Sequence, residues 1–405
     1  MKKALFFIAG FAAMISCKNE GSKIYEINGT EKYNHQNYKG AIADYTEAIK
    51  IEANDTVAYY GRANAKFELH DYKGAIADYT KVLDMDAKYA PAYERRGDAK
   101  AALDDDSNAI IDYSLAIQMN PKAADAYVKM GNVVAKQQND TGAISNYSKA
   151  IDIDAKNNGA YYARGVARYR LEDYKGAIAD YTKAIDLNPK NADAYYHRGL
   201  ARFDAQDYGA AVGDYSKAIE LNPDNANAYL NRGLARARSK DFKGAYEDYS
   251  KAISMDPKND GAYTSRGNAK LAAGDNQGAI ADYSQSIAIS PKHAQVYYSR
   301  GVAKSRLGDN NGAIADYERA VRVNPRLVAA YYESARLRVA VEDYKGAIED
   351  YTRIIAVRPN DADAYYNRAM ENYLLGHRAE VCDDLRRAKE LGSMSAFKKI
   401  KDLCQ

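Results

Sequence analysis

Side chains that could perform catalysis occur in this chain, but the sequence does not group them. The five histidines are far apart, with no two on one helix at metal-ligand spacing: His35, His70, His197, His293 and His377. No glycine-rich phosphate loop follows a strand pattern, because no strand pattern occurs. The many aspartates recur at a fixed interval, which indicates paired or solvated structural carboxylates. The sequence predicts a non-enzymatic protein with no metal and no cofactor.

One cysteine stands at a place where chemistry is expected. Lys2 and Lys3 precede an apolar run over residues 4–15, which is short for a membrane span but typical of a secretory signal. The run ends Met14-Ile15-Ser16-Cys17. This segment resembles the lipobox of bacterial lipoproteins, in which the cysteine carries lipid and becomes the mature N-terminus. Leu is more usual in the family where Met14 stands, and an ordinary cleaved signal with an incidental cysteine is the alternative.

The lipobox resemblance implies where the protein resides. Residues 1–17 form the lipoprotein signal ending at its lipidated cysteine, and residues 18–21 form a short tether. Palmitate and similar acyl chains on Cys17 supply the two or more membrane signals that stable anchoring needs. An Asp directly after the lipidated cysteine resembles an inner-membrane retention signal, but this chain has Lys18 at that place. We therefore expect a lipid-anchored protein of the bacterial cell envelope, in the outer membrane, on its periplasmic or its outer side.

The charge balance argues against nucleic acid as a partner. The chain has 58 basic and 55 acidic residues, and the signal segment accounts for two of the lysines. A nearly neutral chain with interspersed signs lacks the basic patch that phosphate backbones require.

Internal repetition explains most of the sequence. Gly-Ala-Ile-Ala-Asp-Tyr recurs at spacings of 34 residues or multiples of 34, and eleven repeats without insertions cover residues 22–391. With Ser22 as position 1, each repeat predicts two short amphipathic helices. Asp or Asn at position 16 precedes the second helix and Pro at position 32 follows it, as in Asp173 and Pro189. Small residues at positions 8, 20 and 27 face Tyr at positions 4 and 24, and we expect both sets of rings to be buried.

This pattern resembles the tetratricopeptide repeat (TPR): aromatic residues at 4 and 24, Gly at 8, Ala at 20 and 27, and Pro at 32. The resemblance implies an all-α fold, a right-handed superhelical solenoid of helix-turn-helix repeats whose first helices line the concave side. Residues 392–405 then form a capping helix, with Phe397, Ile400 and Leu403 at helical spacing. Cys382 and Cys404 are an even pair, which outside the cytoplasm indicates a disulfide that pins the cap. Two buried free thiols are the alternative.

Position 7 departs from the TPR pattern, because it is Arg in eight repeats where the family often has Leu. Position 23 is Asp in ten repeats, and in repeat four both positions change together, to Met130 and Asn146. We expect a ladder of Arg–Asp pairs that joins the two helices of each repeat. Repeats one and ten depart from it.

A second, irregular set of aromatic residues lies at positions 5 and 12, which face inward in the family. These are Tyr60, Tyr162, Tyr196, Tyr298, Tyr332 and Tyr366 at position 5, with Tyr33, Phe67, Tyr169, Phe203 and Tyr373 at position 12, of which Tyr169 and Phe203 are counted with the groove. Tyr offers a rigid contact surface and a hydroxyl, so the set predicts a groove that binds partners. Packing between neighbouring repeats is the alternative role. A clamp for a C-terminal carboxylate is disfavoured, since no repeat pairs Lys with Asn at positions 5 and 9.

The resulting functional hypothesis is a lipoprotein scaffold for protein–protein interaction. It would hold an extended peptide or a helix in its concave groove and serve the assembly of an envelope complex. A glycan-associated lipoprotein, with rings stacked on sugar faces, is one alternative. A structural spacer without a ligand is the other.

Overall fold

The computed structural model describes residues 20–404, and every regular element in that range is an α-helix. The predicted Cys17 anchor lies outside the described residues. The first helices of the repeats are α1 (residues 20–34), α3 (Thr56–Glu68), α5 (Ala90–Ala101), α7 (Ala124–Lys136), α9 (Asn158–Arg170), α11 (Ala192–Asp204), α13 (Ala226–Arg238), α15 (Asp260–Ala272), α17 (Ala294–Arg306), α19 (Val328–Ala340) and α21 (Ala362–Leu374).

The second helices match the predicted boundaries as well. They are α2 (Tyr38–Ile51), α4 (Tyr72–Met85), α6 (Asp106–Met119), α8 (Asp140–Ile153), α10 (Tyr174–Leu187), α12 (Tyr208–Leu221), α14 (Phe242–Met255), α16 (Asn276–Ile289), α18 (Asn310–Val323), α20 (Tyr344–Val357) and α22 (Arg378–Glu390), followed by the cap α23 (Met394–Leu403). The prediction of eleven helix pairs with a capping helix is confirmed. Residues 20 and 21, the last two of the predicted tether, belong to the first helix.

The chain divides into two compact units, Met1–Ala205 and Gln206–Gln405, and the division falls within repeat six. In each unit, helices pack on their neighbours in chain order. Local signals set the boundaries. Asp173, for example, accepts a hydrogen bond from the N–H of Gly176 at 2.9 Å, which caps α10 at its N-terminus. Pro189 follows the C-cap Asn188 and prevents continuation.

Tyr at position 24 and Gly at position 8 form the centre of most helix pairs; position 8 is Ala in three repeats, and position 24 is Leu385 in the last. Tyr147 and Tyr181 are at most 2% exposed. A Cβ added to Gly131 would lie 2.6 Å from Cε1 of Tyr147, and one added to Gly165 would lie 2.8 Å from Cε1 of Tyr181. Both distances are shorter than van der Waals contact, so the missing side chain is what lets the ring lie on the opposing helix.

The rings at position 4 differ from this expectation. Most are half-buried, and Tyr25 is 36% exposed because no repeat precedes it. Each position-7 guanidinium instead lies over the position-4 ring one turn earlier, for example Arg164 at 5.6 Å from the centroid of Tyr161. Tyr297 makes the same contact with Arg300 and is buried, so the cation–π contact occurs with both half-buried and buried rings.

The Arg–Asp ladder is confirmed in the seven predicted pairs that lie within one compact unit. Arg164 is representative, because its Nε and Nη2 donate to the two carboxylate oxygens of Asp180 at 2.9 and 2.7 Å. The same bidentate arrangement joins Arg62–Asp78, Arg96–Asp112, Arg232–Asp248, Arg266–Asp282, Arg300–Asp316 and Arg368–Asp384.

Each ladder Arg also reaches the preceding repeat, a contact that the sequence analysis missed. Nη1 of Arg164 donates to Oγ of Ser148 at 3.0 Å, and Ser148 is position 25 of repeat four. A Ser or Thr at position 25 precedes every position-7 Arg in the sequence. The Lys or Arg at position 11 adds a further ion pair to the same Asp, as Arg168 does to Asp180 at 2.8 Å. One carboxylate therefore neutralises both cations of the first helix.

The C-terminal cap is held by packing and by a covalent bond. Leu385 and Ala396 are fully buried, and Ile400 and Leu403 pack against them. Phe397 was expected on this face but is 44% exposed, because the small Ala396 is the residue that fits against α22. A disulfide joins Cys382 and Cys404, whose Cα atoms are 5.7 Å apart, as the even cysteine pair indicated.

Candidate binding surface on the first helices

Consecutive first helices contact one another within each unit, and these contacts define the candidate surface. They join α3 to α5, α5 to α7, α7 to α9, and α9 to α11, and in the second unit α13 to α15 and α15 to α17. Within each unit, the consecutive second helices of the described residues have no contact of this extent. The side chains at positions 5, 9, 12 and 13 of neighbouring repeats therefore form one continuous surface from α3 to α11 in the first unit and another from α13 to α17 in the second.

The position-5 rings are half-buried and rest on the core tyrosine of their own repeat. The ring centroids are 5.7 to 6.2 Å apart in the pairs Tyr60–Tyr79, Tyr162–Tyr181, Tyr298–Tyr317 and Tyr332–Tyr351. Packing thus accounts for one face of these rings. The remaining surface of each ring is held in a fixed orientation by a buried neighbour.

Several hydroxyls bond to residues outside their own helix. The hydroxyl of Tyr332 donates at 2.6 Å to Oδ1 of Asp361, the last residue of the same repeat, and that of Tyr169 donates at 2.5 Å to Oδ2 of Asp204 in the next repeat. The hydroxyl of Tyr162 lies 3.1 Å from Nδ1 of His197. Burial raises the pKa of Tyr162 to about 12, so this hydroxyl is protonated at neutral pH. These bonds fix the rings further.

The other predicted site residues lie on the same row of helices. Tyr196 and Phe203 on α11 are partly buried, and the Tyr196 ring lies 5.3 Å from that of His197. Tyr366 on α21 packs against the cluster that includes Leu385 and Ala396. The structure therefore brings Tyr162, Tyr169, Tyr196 and Phe203 into one region of the first unit. In the second unit, Tyr298 and Tyr332 pack into separate core clusters.

A groove of about 760 Å³ opens on this surface between repeats four and five. Its lining includes Asn132, Lys136, Tyr147, Tyr162, Val166 and Arg170. Of the predicted residues, only Tyr162 takes part. No sequence signal marks the groove: repeat four has no ring at position 5 or 12, but repeats three, seven and eight lack these rings as well.

The rim of the groove carries opposite charges. Arg170 Nη1 lies 3.4 Å from Asp140, while Lys136 Nζ lies 2.6 Å from Asp104 and 3.1 Å from Asp106. All of these ion pairs include a half-exposed cation, so each is weak and open to competition by a ligand. Within residues 20–404 no cluster of His, Cys, Asp or Glu could hold a metal ion. No helix in the described range is long and apolar enough to span a bilayer.

Comparison with known families identifies the class of protein. Models of the TPR repeat and tetratricopeptide repeat match residues 60–124, 136–172, 167–205, 199–240, 226–259, 267–308, 294–327 and 332–376. The chain belongs to the tetratricopeptide repeat family. Proteins of this family are interaction scaffolds and are generally not enzymes. No curated protein sequence matches the chain.

Solved structures of TPR proteins are similar to this chain in fold. The C-terminal part of a TPR repeat-containing protein from Cytophaga hutchinsonii is 22% identical with a TM-score of 0.52, covering 59% of this chain and 98% of that one. A tetratricopeptide repeat protein from Parabacteroides merdae is 20% identical, with a TM-score of 0.45 and coverage of 62% and 98%. YrrB, described as a TPR protein with an unusual peptide-binding site, is 22% identical, with a TM-score of 0.41 and coverage of 45% and 95%.

Proposed function

We propose that this protein is a lipid-anchored scaffold of the bacterial cell envelope that holds an extended peptide or a helix of a partner protein against its first helices. The observation that carries the proposal is the set of position-5 tyrosines, each resting on a buried core ring. A solenoid needs the position-24 rings for its core, but it does not need the second set.

Rigid tyrosines suit this role for an energetic reason. Binding costs side-chain entropy whenever a mobile group becomes fixed. The hydroxyl bond of Tyr332 to Asp361 and the packing of Tyr162 on Tyr181 fix these rings before any partner arrives. Their exposed edges then offer large contact areas at low entropic cost, as in binding sites rich in Tyr.

The membrane anchor rests on the sequence around Cys17. A lipid chain there, with the first helix present by residue 20, leaves residues 18 and 19 as the connection. Two extended residues span roughly 7 Å, so the scaffold would act close to the membrane surface. Cys17→Ala tests this point, since we expect it to abolish palmitate incorporation and release the protein from membranes. Palmitate labelling that persists in this variant contradicts the anchor.

The partner is tested by affinity purification of the tagged full chain from envelope extract. We expect one stoichiometric protein, and we expect Tyr298→Ala with Tyr332→Ala to lose it. The matched control is Tyr246→Ala with Tyr344→Ala, which removes two rings from second helices and should retain the partner. Binding of purified cell-wall glycan in place of a protein would overturn the proposal in favour of the glycan alternative. If the chain binds neither a protein partner nor glycan, the alternative of a structural spacer without a ligand is supported.

A further inference from the structure

The two ends of the repeat array differ in how their apolar surface is covered. A solenoid exposes one face of its terminal repeat unless a cap covers it. At the C-terminal end, α23 packs on α22, and Leu385 and Ala396 are fully buried. At the other end the described residues begin with α1, on which Ile24 is 58% and Ile27 is 66% exposed. The first repeat therefore carries apolar surface that none of the described residues encloses.

Position 3 shows that this surface is peculiar to repeat one. In the later repeats this position packs against the second helix of the preceding repeat, as Ala160 does with Ala150 and Ile151 of α8. Its residues there are at most 1% exposed: Ala58, Ala92, Ala126, Ala160, Ala194, Ala228, Ala262, Val296, Ala330 and Ala364. Repeat one alone has Ile, at Ile24. The chain thus has its largest position-3 side chain where the described residues supply no preceding helix to cover it.

The apolar surface is confined to the N-terminal half of α1. Position 10 faces the preceding repeat as well, since Ala167 packs with Ala143 and Tyr147 of repeat four. In repeat one this position is the exposed Glu31. A second copy or a further repeat that covered the whole length of α1 would bury this carboxylate at a cost. The pattern therefore favours an occupant that reaches only the first two turns of the helix.

A bilayer that holds Cys17 lies at the correct end of α1. Two residues separate Cys17 from Glu20, the first described residue, and they span roughly 7 Å at most. The helical rise then places Ile24 about 6 Å and Ile27 about 10 Å beyond the start of α1. Helices that lie in the membrane interface bury their apolar face by roughly 5–10 Å. Both isoleucines are therefore within reach of the lipid to which Cys17 would be attached.

We propose that Ile24 and Ile27 insert into the interface of the membrane that anchors Cys17, so that lipid covers the N-terminal end of the array as α23 covers the other. The inference rests on the lipid anchor of the proposed function. Val57 is 60% exposed and lines one groove with Ile27, which places it at the edge of this contact. An acylated Cys17 gives one point of attachment. The two isoleucines add a second and thereby set the orientation of repeat one to the bilayer.

The test uses tryptophan as a depth probe, because the chain has no Trp of its own. The full, lipid-bearing chain with Ile24→Trp or, separately, Ile27→Trp is reconstituted into phosphatidylcholine vesicles with or without brominated acyl chains. We expect blue-shifted emission that the brominated lipid quenches by roughly half or more, since an inserted indole contacts acyl chains. The matched control is Ile111→Trp on α6, where the Ile is 55% exposed, and it should not be quenched. Absence of quenching in both test variants overturns the inference.

The lipid dependence separates apolar insertion from attraction between charges. Glu20 and Lys23 have opposite signs, so an anionic surface should add little to the contact. We expect equal quenching with and without phosphatidylglycerol in the vesicles, and quenching that requires this lipid overturns the inference. In the Ile27→Trp chain, adding Ile24→Ser should reduce the quenching, whereas adding Ile111→Ser should not. Equal quenching in the two double variants likewise contradicts insertion through Ile24.

The outcomes distinguish this inference from the proposed anchor. Palmitate labelling of Cys17 without quenching of either probe leaves the anchor standing and overturns the membrane contact alone. A wild-type chain without acyl groups on Cys17 overturns both. Sedimentation velocity in detergent tests the remaining occupant, because dimers that Ile24→Ser abolishes would assign this end of α1 to a second copy and overturn the inference.

Discussion

Repeats five and eight have a complete ladder, whereas repeats four and ten have an interrupted one, and the two interruptions differ. In repeat eight, Asp282 receives the bidentate pair of Arg266 and a further ion pair from Lys270 at 2.9 Å. Repeat four removes both charges. Its Asn146 bonds instead to the carbonyl of Gly142 at 3.0 Å.

Repeat ten removes only the cation. Ser334 stands at position 7 in place of the Arg. Asp350 still forms an ion pair with Arg338 at position 11, whose Nε lies 3.2 Å from Oδ2 of Asp350. Arg338 is shared with Asp343 and with Glu318, which replaces the usual Ser or Thr at position 25. Burial raises the pKa of Asp350 to about 6, with the charge of Arg338 opposing the rise. When both members of a buried ion pair are replaced, as in repeat four, no charge is left unpaired. When only the Arg is replaced, as in repeat ten, the buried carboxylate lacks part of the positive charge that would compensate it.

The largest effect is expected from interrupting a complete repeat. Arg266→Met leaves Asp282 with Lys270 alone and should lower the free energy of unfolding by about 3 kcal/mol. The double variant Arg266→Met with Asp282→Asn copies repeat four and should recover most of this loss. Urea denaturation followed by circular dichroism measures both. A double variant no more stable than Arg266→Met would show that the undercompensated charge of Asp282 is not what destabilises the single variant.

The converse change should reproduce the unpaired carboxylate in repeat four. Asn146→Asp introduces a charge where position 7 is Met130 and position 11 is Val134, so we expect a loss of about 2 kcal/mol at pH 7. Adding Met130→Arg should restore stability, because Ser114 already stands at position 25 to accept from it. Absence of rescue in the same denaturation assay contradicts the ladder as the cause.

Asp350 should give repeat ten its own pH dependence. Its folded pKa lies above the unfolded value of 3.8, so the folded state binds the proton more tightly. The unfavourable contribution of Asp350 is therefore absent below about pH 4 and complete above about pH 6. We expect Asp350→Asn to gain about 1–2 kcal/mol at pH 7 and nothing at pH 4. Thermal melts at the two pH values check this, with Asp282→Asn as a control that should destabilise at pH 7.

The smallest effect concerns the contact between repeats. Ser250 accepts a hydrogen bond from Nη1 of Arg266 at 3.0 Å, and Ser250→Ala should cost about 1 kcal/mol. Ser114→Ala changes the same position before repeat four, which has no Arg to satisfy, and should be nearly neutral. Equal costs in the two variants would mean that position 25 serves its own helix only.

Much of this protein followed from its sequence alone. The 34-residue period, the caps such as Asp173 and the stops such as Pro189 act within a few residues, so their consequences can be derived without tertiary information. The joint change of Met130 and Asn146 revealed the ladder, because two positions that must neutralise each other change together. The pairing of Cys382 with Cys404 followed from their number and context.

Tertiary structure decided the features that depend on what a side chain meets across helices. Periodicity placed Phe397 on the capping face, but the fit of Ala396 against α22 turned it outward. Periodicity also grouped the rings of positions 4 and 24, and only the structure shows that most position-4 rings are half-buried and lie beneath an Arg guanidinium. The groove beside Tyr162 is a volume enclosed by three helices. The sequence specifies which side chains are present, but the size and shape of a groove depend on how the helices pack against one another.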